Sequence, residues 1–155
     1  MYRFLIVASL VVASQALKFP GNVVPYDFGE YDMEETKKSF EVYKNLFESA
    51  TDKCFQFVPR TAEKPFLRVM SSEVCYADLR TRDRTGNVGP YVLYQITPFK
   101  YGGCKHGKNI YTILKNIIGV TGMPDYGTDE FKTMMEYDEL VIPAKYLTMV
   151  KQQFC

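Results

Sequence analysis

The amino-acid sequence predicts a small secreted α+β domain that contains two disulfides. Three segments repeat apolar residues at the spacing of a helix, and between them lie short runs rich in aromatic and β-branched residues, the composition of strands. Four cysteines follow a short apolar segment at the N-terminus. An even number of cysteines behind a secretion signal indicates a disulfide framework.

The N-terminal segment MYRFLIVASLVVASQA, residues 1–16, has the pattern of a signal peptide. Arg3 precedes an apolar run, and Ser14, Gln15 and Ala16 form an ending of small residues that suits cleavage. The apolar run is about ten residues long, well short of the about 20 that cross a membrane. We therefore expect residues 17–155 to form a single extracellular domain.

The charges nearly cancel, with 19 Lys and Arg against 18 Asp and Glu. A chain without a net field has no general attraction for nucleic acid or for an anionic membrane, and we expect neither as a partner. The basic run Arg80, Arg82 and Arg84, which contains Asp83, is expected to be a solvated loop.

Three helices are predicted from the apolar spacing. The first follows a capping-box pattern, Asp32 and Glu35, and buries a stripe that contains Phe40 and Phe47. The second is a buried helix that ends at Gly119, and the third begins after Pro143. The stripes of the second and third helices are Ile110, Ile113, Leu114 and Ile117, and Leu147, Val150 and Phe154.

Three strands are predicted from short runs of β-forming residues, at 54–58, 66–70 and 90–96. An extended segment at residues 19–31 precedes the first helix, because Pro25 and Gly29 interrupt a regular pattern there. Pro90 heads the third run and cannot donate to a ladder. We therefore predict that this run is an edge strand.

The four cysteines are Cys54, Cys75, Cys104 and Cys155. Four cysteines allow three pairings, and their spacing alone does not separate these. No two of them have the C-x2-4-C spacing of a thiolate zinc site, which favours disulfides over metal binding.

No catalytic centre is evident from residue types and spacing. The chain has one histidine, His106, whereas a catalytic zinc needs three protein ligands and a serine or cysteine nucleophile needs an activating base. Acidic pairs such as Asp129 and Glu130 are sequence neighbours, which do not face one another on a helix.

Four segments nevertheless resemble the astacin family of secreted zinc metallopeptidases. They are NVVPYDF at 22–28, CFQFVPRT at 54–61, VCYADL at 74–79 and GGCKHGKNI at 102–110. The resemblance implies a zincin-like, astacin-type domain with a small mixed sheet, two core helices, a shortened C-terminal part and a C-terminal helix. It also implies the disulfides Cys54–Cys155 and Cys75–Cys104.

The zinc helix of that family has the motif H-E-x-x-H-x-x-G-x-x-H, in which the histidines hold the metal and the glutamate is the general base. Aligning the motif's glycine with Gly119 puts Thr112, Asn116 and Gly122 at the histidine positions and Ile113 at the glutamate position. The resemblance therefore implies a degenerate motif, with neither a zinc cofactor nor proteolytic activity.

The segment FKTMMEYDE, residues 131–139, resembles the Met-turn that lies beneath the zinc site in the family. Met135 takes the position of the Met-turn methionine. Tyr137 takes the position of the tyrosine that can approach the metal.

Taken together, these resemblances predict a pseudoenzyme that works as a peptide-binding or decoy module. The family cleft holds an extended peptide by strand addition, which needs no metal. We expect a monomer whose partner is an extended peptide or a secreted protein. The predicted edge strand would supply Tyr91, Val92, Leu93, Tyr94 and Gln95.

Two alternatives stay open at this level. A metalloendopeptidase with residual activity would need an unconventional site built from His106, Asp125, Glu136 or Tyr137. A relic product without a selected role would be scarce as folded, secreted protein.

Overall fold

The computed structural model describes residues 19–29, 33–78 and 91–155. The predicted signal peptide, the predicted capping residue Asp32 and the basic run at Arg80, Arg82 and Arg84 lie outside the described residues. None of the helices in the described part is long and apolar enough to cross a membrane.

In the described residues, five short strands form one mixed sheet. They are β1 (Val23–Phe28), β2 (Gln56–Pro59), β3 (Phe66–Ser71), β4 (Tyr76–Asp78) and β5 (Tyr91–Ile96). The order is β2-β1-β3-β5-β4, in which β4 is antiparallel to β5 and the other neighbours are parallel. Each predicted strand overlaps one of these strands, and the predicted extended segment contains β1. β4 escapes prediction because three residues are too few to show a period.

The described residues also form four α-helices. They are α1 (Met33–Ala50), α2 (His106–Tyr111), α3 (Asp129–Glu136) and α4 (Ala144–Phe154). α2 continues directly into a π-helical segment, Thr112–Ile118, so that residues 106–118 form one continuous helix. The three predicted helices are confirmed as α1, α2 with the π-helical segment, and α4. α3 is additional.

α1 and α2 cover the same face of the sheet. Burial alternates along β5, where Val92, Tyr94 and Ile96 are buried. The ring of Tyr94 lies 6.3 Å from that of Phe40 in α1, and its hydroxyl donates to Oδ1 of Asn109 in α2. Since side chains on one face of a strand point the same way, both helices pack on the face that the buried residues of β5 occupy.

Aromatic rings fill the core between α1 and the sheet. Phe40 lies among them, with the ring centroids of Tyr26 and Phe57 at 4.9 Å and 5.9 Å. The predicted stripe of α1 is confirmed, because Phe40, Tyr43 and Phe47 are all buried. Burial of apolar surface stabilises the fold by about 25 cal/mol per Å², and rings contribute the largest areas.

The prediction that residues 90–96 form an edge strand is wrong. β5 pairs with β3 on one side and with β4 on the other, so Tyr91, Val92, Leu93, Tyr94 and Gln95 belong to an internal strand. Pro90 lies outside the described residues; β5 begins at the next residue, Tyr91, and residues 91–96 contain no proline. In the described residues the outer strands are β2 and β4.

Two disulfides connect distant parts of the chain. Cys54–Cys155 joins the turn before β2 to the end of α4, and Cys75–Cys104 joins the start of β4 to the segment before α2. These are the pairs that the family resemblance implies. With its mixed sheet, its two helices on the core, its C-terminal helix and its two disulfides, the fold has the predicted α+β class.

Candidate functional site

The helix at residues 106–118 carries the positions that match the family's zinc motif. Its predicted apolar stripe, Ile110, Ile113, Leu114 and Ile117, is fully buried. Gly119 ends the helix in a left-handed conformation with φ of 82°, and its N–H donates to the carbonyl oxygen of Leu114 at 3.0 Å. The predicted glycine stop is therefore confirmed.

The four positions that match the zinc motif do not fit a metal. Thr112 and Ile113 are buried, Asn116 is half-buried, and Gly122 lies in a turn with φ of 83°. A hydroxyl, a hydrocarbon, an amide and a glycine supply none of the imidazole, thiolate or carboxylate ligands that zinc takes. Within the described residues, no group of three or more His, Cys, Asp or Glu side chains could hold a metal ion.

The segment that resembles the Met-turn, residues 131–139, lies largely in α3 and does not form the expected turn. The side-chain oxygen of Thr128 accepts a hydrogen bond from the N–H of Phe131 at 3.1 Å, which caps the helix and explains the difference. Met134 is buried, whereas Met135 is half-buried and lines a cleft. Tyr137 ends the helix and donates its hydroxyl to Oε2 of Glu139 at 3.3 Å.

The residues of the unconventional metal site are spread over separate interactions. His106 lies 2.9 Å from the Tyr43 hydroxyl, and Tyr137 is bonded to Glu139. The carboxylates of Asp125 and Glu136 form ion pairs with Lys115 and Lys105, respectively. The structure does not bring these four residues into one constellation.

A buried hydrogen-bond network joins α1, α2 and β5. Asn109 is fully buried; its Oδ1 accepts from the Tyr94 hydroxyl at 2.7 Å, and its Nδ2 donates to the Tyr43 oxygen at 3.0 Å. The Tyr43 oxygen thus accepts a hydrogen bond from Asn109. Its own O–H can then donate to Nδ1 of His106, which lies 2.9 Å from the oxygen. Burial raises the pKa of Tyr43 to about 12 and keeps its hydroxyl neutral. Sequence reasoning misses this network, and its one signal is an asparagine inside a buried helix.

A cleft of about 750 Å³ lies between the start of β4, α2 and α3. Much of its lining is apolar, and six side chains contribute: Val74, Tyr76, Tyr111, Tyr126, Phe131 and Met135. Val74, Tyr76 and Tyr126 are 49%, 40% and 66% exposed, so the cleft has an apolar rim. Exposed apolar surface that is grouped around a concavity is typical of binding sites.

Three aromatic side chains in edge-to-face and tilted contact form one wall of this cleft. Tyr111, Tyr126 and Phe131 contact one another, with ring centroids 4.7 Å to 6.2 Å apart. The buried Tyr111 hydroxyl donates to the carbonyl oxygen of Pro124 at 2.8 Å, and burial raises its pKa. These contacts hold the wall in place without a bound ligand.

The outer strand β4 begins beside the cleft. Tyr76, its first residue, lines the cleft together with the Cys75–Cys104 disulfide. In the part of the chain that the structure describes, β4 has one neighbour, β5. The main-chain N–H and C=O groups on its other side therefore pair with no strand among the described residues, as at any sheet edge.

No protein-family model and no curated protein matches the sequence. Among solved structures, the chain is similar to high choriolytic enzyme 1, a hatching-enzyme zinc protease from the medaka fish Oryzias latipes, with 24% sequence identity and a TM-score of 0.43. The match covers 64% of this chain and 46% of that chain. The chain thus corresponds to less than half of the fish enzyme's solved chain.

Proposed function

We propose that the chain is a secreted, non-catalytic, astacin-like protein that binds an extended peptide, or an extended segment of a secreted protein, in the cleft beside β4. The observation that carries the proposal is the position of an outer strand next to an apolar cleft. A peptide can add to such an edge through main-chain hydrogen bonds while its alternate side chains enter the adjacent cleft.

The residues at the motif positions support binding without catalysis. A general base must be titratable and within hydrogen-bond reach of the proton that it accepts. Ile113, at the position of the base, has no such group, and Thr112 and Asn116 are not the ligands that zinc takes. The two disulfides favour a protein that works outside the cell, because disulfides persist in oxidising compartments.

The form of the cleft supports useful affinity. Full burial of one apolar side chain contributes about 1.5 to 3 kcal/mol. The walls are already ordered by the contacts among Tyr111, Tyr126 and Phe131, so that binding does not have to order them. Preorganisation of this kind raises affinity because less conformational freedom is lost on binding.

Peptide display on phage tests the proposed binding. The oxidised protein is panned with random peptides, and enriched peptides are measured by fluorescence polarisation against wild type, Val74→Asp and Val141→Asp. The two valines are 49% and 47% exposed, but only Val74 lines the cleft, so Val141→Asp is a matched control. We expect Val74→Asp to weaken binding about tenfold or more and the control to bind as wild type. Equal binding to all three proteins, or no enrichment, would contradict the proposal.

Metal analysis and a hydrolysis assay test the absence of catalysis. We expect purified protein to contain zinc far below one equivalent and to leave the bound peptides uncleaved. Stoichiometric zinc together with chelator-sensitive hydrolysis would instead assign the chain a metallopeptidase activity.

A further inference from the structure

Tyr126 is the most exposed tyrosine among the described residues. It is 66% exposed, compared with 54% for Tyr101 and 40% for Tyr76, and the other described tyrosines are buried or half-buried. Its ring packs against Tyr111 and Phe131, whereas its hydroxyl makes no hydrogen bond within the part of the chain that the structure describes. The phenol oxygen is therefore accessible to a second protein.

The main chain around Tyr126 is accessible as well. Tyr126 lies in a turn between the π-helical segment and α3, and residues 125–130 are all exposed. Gly127 follows it with φ of 85°, and a Cβ atom at that position would have open space around it. A second protein can therefore enclose this turn without separating two strands. Tyr76 differs in this respect, because its strand β4 is paired with β5.

Three carboxylates flank Tyr126 along the chain. Asp125 precedes it, and Asp129 and Glu130 follow in the first turn of α3. Each of the three forms an ion pair with one lysine at the surface. Exposed pairs of this kind contribute little free energy, so that the cations of another protein can replace the lysines. The turn thus presents an accessible phenol in an acidic segment.

An accessible phenol in an acidic segment suits the enzymes that transfer sulfate to tyrosine in the secretory pathway. Their donor is an adenylyl phosphosulfate, a mixed anhydride of phosphate and sulfate that carries several negative charges. The enzyme therefore needs a cationic site to hold it. An acidic substrate segment is attracted to the same cationic surface. Tyr101 lacks this attraction, because it lies between Lys100 and Lys105 with no acidic residue near it in the sequence.

We infer that Tyr126 is a sulfation site. The phenol oxygen forms a bond to the sulfur of the donor, and the bond from that sulfur to the bridging oxygen breaks, so that the electron pair leaves with the phosphate. The phenolic proton passes to a base of the transferring enzyme, and no oxidant or reductant takes part. The product is an aryl sulfate, which adds one fixed negative charge to the lining of the cleft. The inference rests on the secretion that the proposed function includes, but not on peptide binding.

Expression in a secreting animal cell line tests this inference. The full chain is expressed with its own N-terminus, recovered from the medium, reduced, digested with trypsin and analysed by mass spectrometry. Cleavage after Lys115 and Lys132 releases a peptide, residues 116–132, that contains Tyr126 and no other tyrosine. A sulfate on this peptide is therefore assigned to one residue.

Three variants are prepared in the same way: Tyr126→Phe, Asp125→Asn and Asp52→Asn. The side chains of Asp125 and Asp52 are 89% and 84% exposed, and each is paired with a lysine. Only Asp125 is adjacent to a tyrosine, so Asp52→Asn is the matched control. Circular dichroism checks that the variants fold, which is expected of substitutions at exposed positions.

We expect the wild-type peptide 116–132 to carry one sulfate. Chlorate in the medium should prevent the modification, because it blocks synthesis of the donor, and alkaline phosphatase should leave it in place. Tyr126→Phe should lack the sulfate. Asp125→Asn should lower the sulfated fraction about threefold or more, because a negative charge beside the phenol is lost. Asp52→Asn should match wild type.

The other outcomes separate the inference from the proposed function. Secreted protein whose peptide 116–132 is unmodified would overturn the inference and leave the proposed function in place. Accumulation of the protein in the cells, with none in the medium, would overturn the secretion on which both depend. Equal sulfation of Asp125→Asn and wild type would contradict recognition through the acidic segment. A group that alkaline phosphatase removes would be a phosphate, and the assignment to sulfate would be wrong.

Two other tyrosines with acidic neighbours make the peptide analysis decisive. Tyr31 lies outside the described residues, and Tyr137 is half-buried with its hydroxyl bonded to Glu139. Trypsin places Tyr126 on a different peptide from either of them. Sulfate on their peptides, with residues 116–132 unmodified, would show that acidic neighbours alone select the site and that the assignment to Tyr126 is wrong.

Discussion

Asn109 holds three elements of the fold together through one amide group. It is fully buried on α2, accepts from Tyr94 of β5 and donates to Tyr43 of α1. A buried polar group stabilises the fold only when its hydrogen bonds are made. If a bond is lost, the partner that remains buried still carries the full free-energy cost of its desolvation. The Tyr94 hydroxyl therefore depends on the amide for its acceptor, and loss of the amide breaks the links that join α2 to β5 and to α1.

Asn109→Leu is expected to lower the free energy of unfolding by about 1 to 3 kcal/mol, because the buried Tyr94 hydroxyl loses its acceptor, whereas the Tyr43 hydroxyl keeps His106 as a partner. Urea unfolding with the disulfides intact measures this change. Asn45→Leu, on the exposed side of α1, is the matched control and should stay within about 0.5 kcal/mol of wild type. A similar small change in Asn109→Leu would show that the network contributes little.

At the scale of elements, the closeness of α2 and α3 determines the shape of the cleft. Gly107 of α2 donates its N–H to the carbonyl oxygen of Tyr137 at 2.7 Å. A Cβ atom at Gly107 would overlap the carbonyl oxygen of Met134 and the Cβ of Tyr137. Because Gly107 has no side chain, α2 and α3 can approach this closely. The close approach places Phe131 and Met135 of α3 in the wall of the cleft.

Gly107→Ala is expected to push α3 away from α2 and to reduce the free energy of unfolding by about 1 to 3 kcal/mol, the usual cost of overpacking. It should also weaken peptide binding, because Phe131 and Met135 move with α3. Gly127→Ala is a useful comparison, since that glycine has open space around it but a φ of +85°. Its cost is the backbone strain alone, about 1 to 2 kcal/mol, with peptide binding unchanged. If Gly107→Ala binds peptides as wild type does, the helix contact does not shape the cleft.

For the whole molecule, the two disulfides close loops of very different length. Cys54 and Cys155 are 101 residues apart, whereas Cys75 and Cys104 are 29 residues apart. A cross-link restricts the unfolded chain more when the loop is longer. The bond to Cys155 therefore supports the fold as a whole, and the shorter one holds β4 beside α2.

Replacing both cysteines of a pair with alanine separates these roles. Loss of Cys54–Cys155 is expected to lower the free energy of unfolding by about 4 to 5 kcal/mol, and loss of Cys75–Cys104 by about 3 to 4 kcal/mol. The second variant should in addition lose peptide binding, because its bond forms part of the cleft wall. Denaturant unfolding and fluorescence polarisation together check both expectations. Equal peptide binding by the two variants would contradict the local role.

The features that the sequence predicts correctly are local ones. The stripe of α1 and the stop at Gly119 follow from spacing and glycine chemistry within a few residues. The position of β5 inside the sheet does not follow from local sequence, because strand order depends on pairing between distant segments. Pro90 predicted an edge strand, whereas β5 is internal. The candidate site is harder still to predict. The cleft beside β4 is formed by residues that are distant along the chain, such as Val74, Tyr111 and Phe131, which no local motif records.

The π-helical segment Thr112–Ile118 bears on whether the zinc motif could be built into this helix. Two side chains four residues apart lie one above the other because an α-helix has 3.6 residues per turn. Where hydrogen bonds run from i to i+5, each turn holds more residues, and positions 112 and 116 no longer keep that alignment. Histidines placed at 112, 116 and 122, with a glutamate at 113, would reproduce the letters of the motif on a helix wound differently. A zinc site at these positions would therefore require a change in the winding of the helix in addition to the ligands themselves.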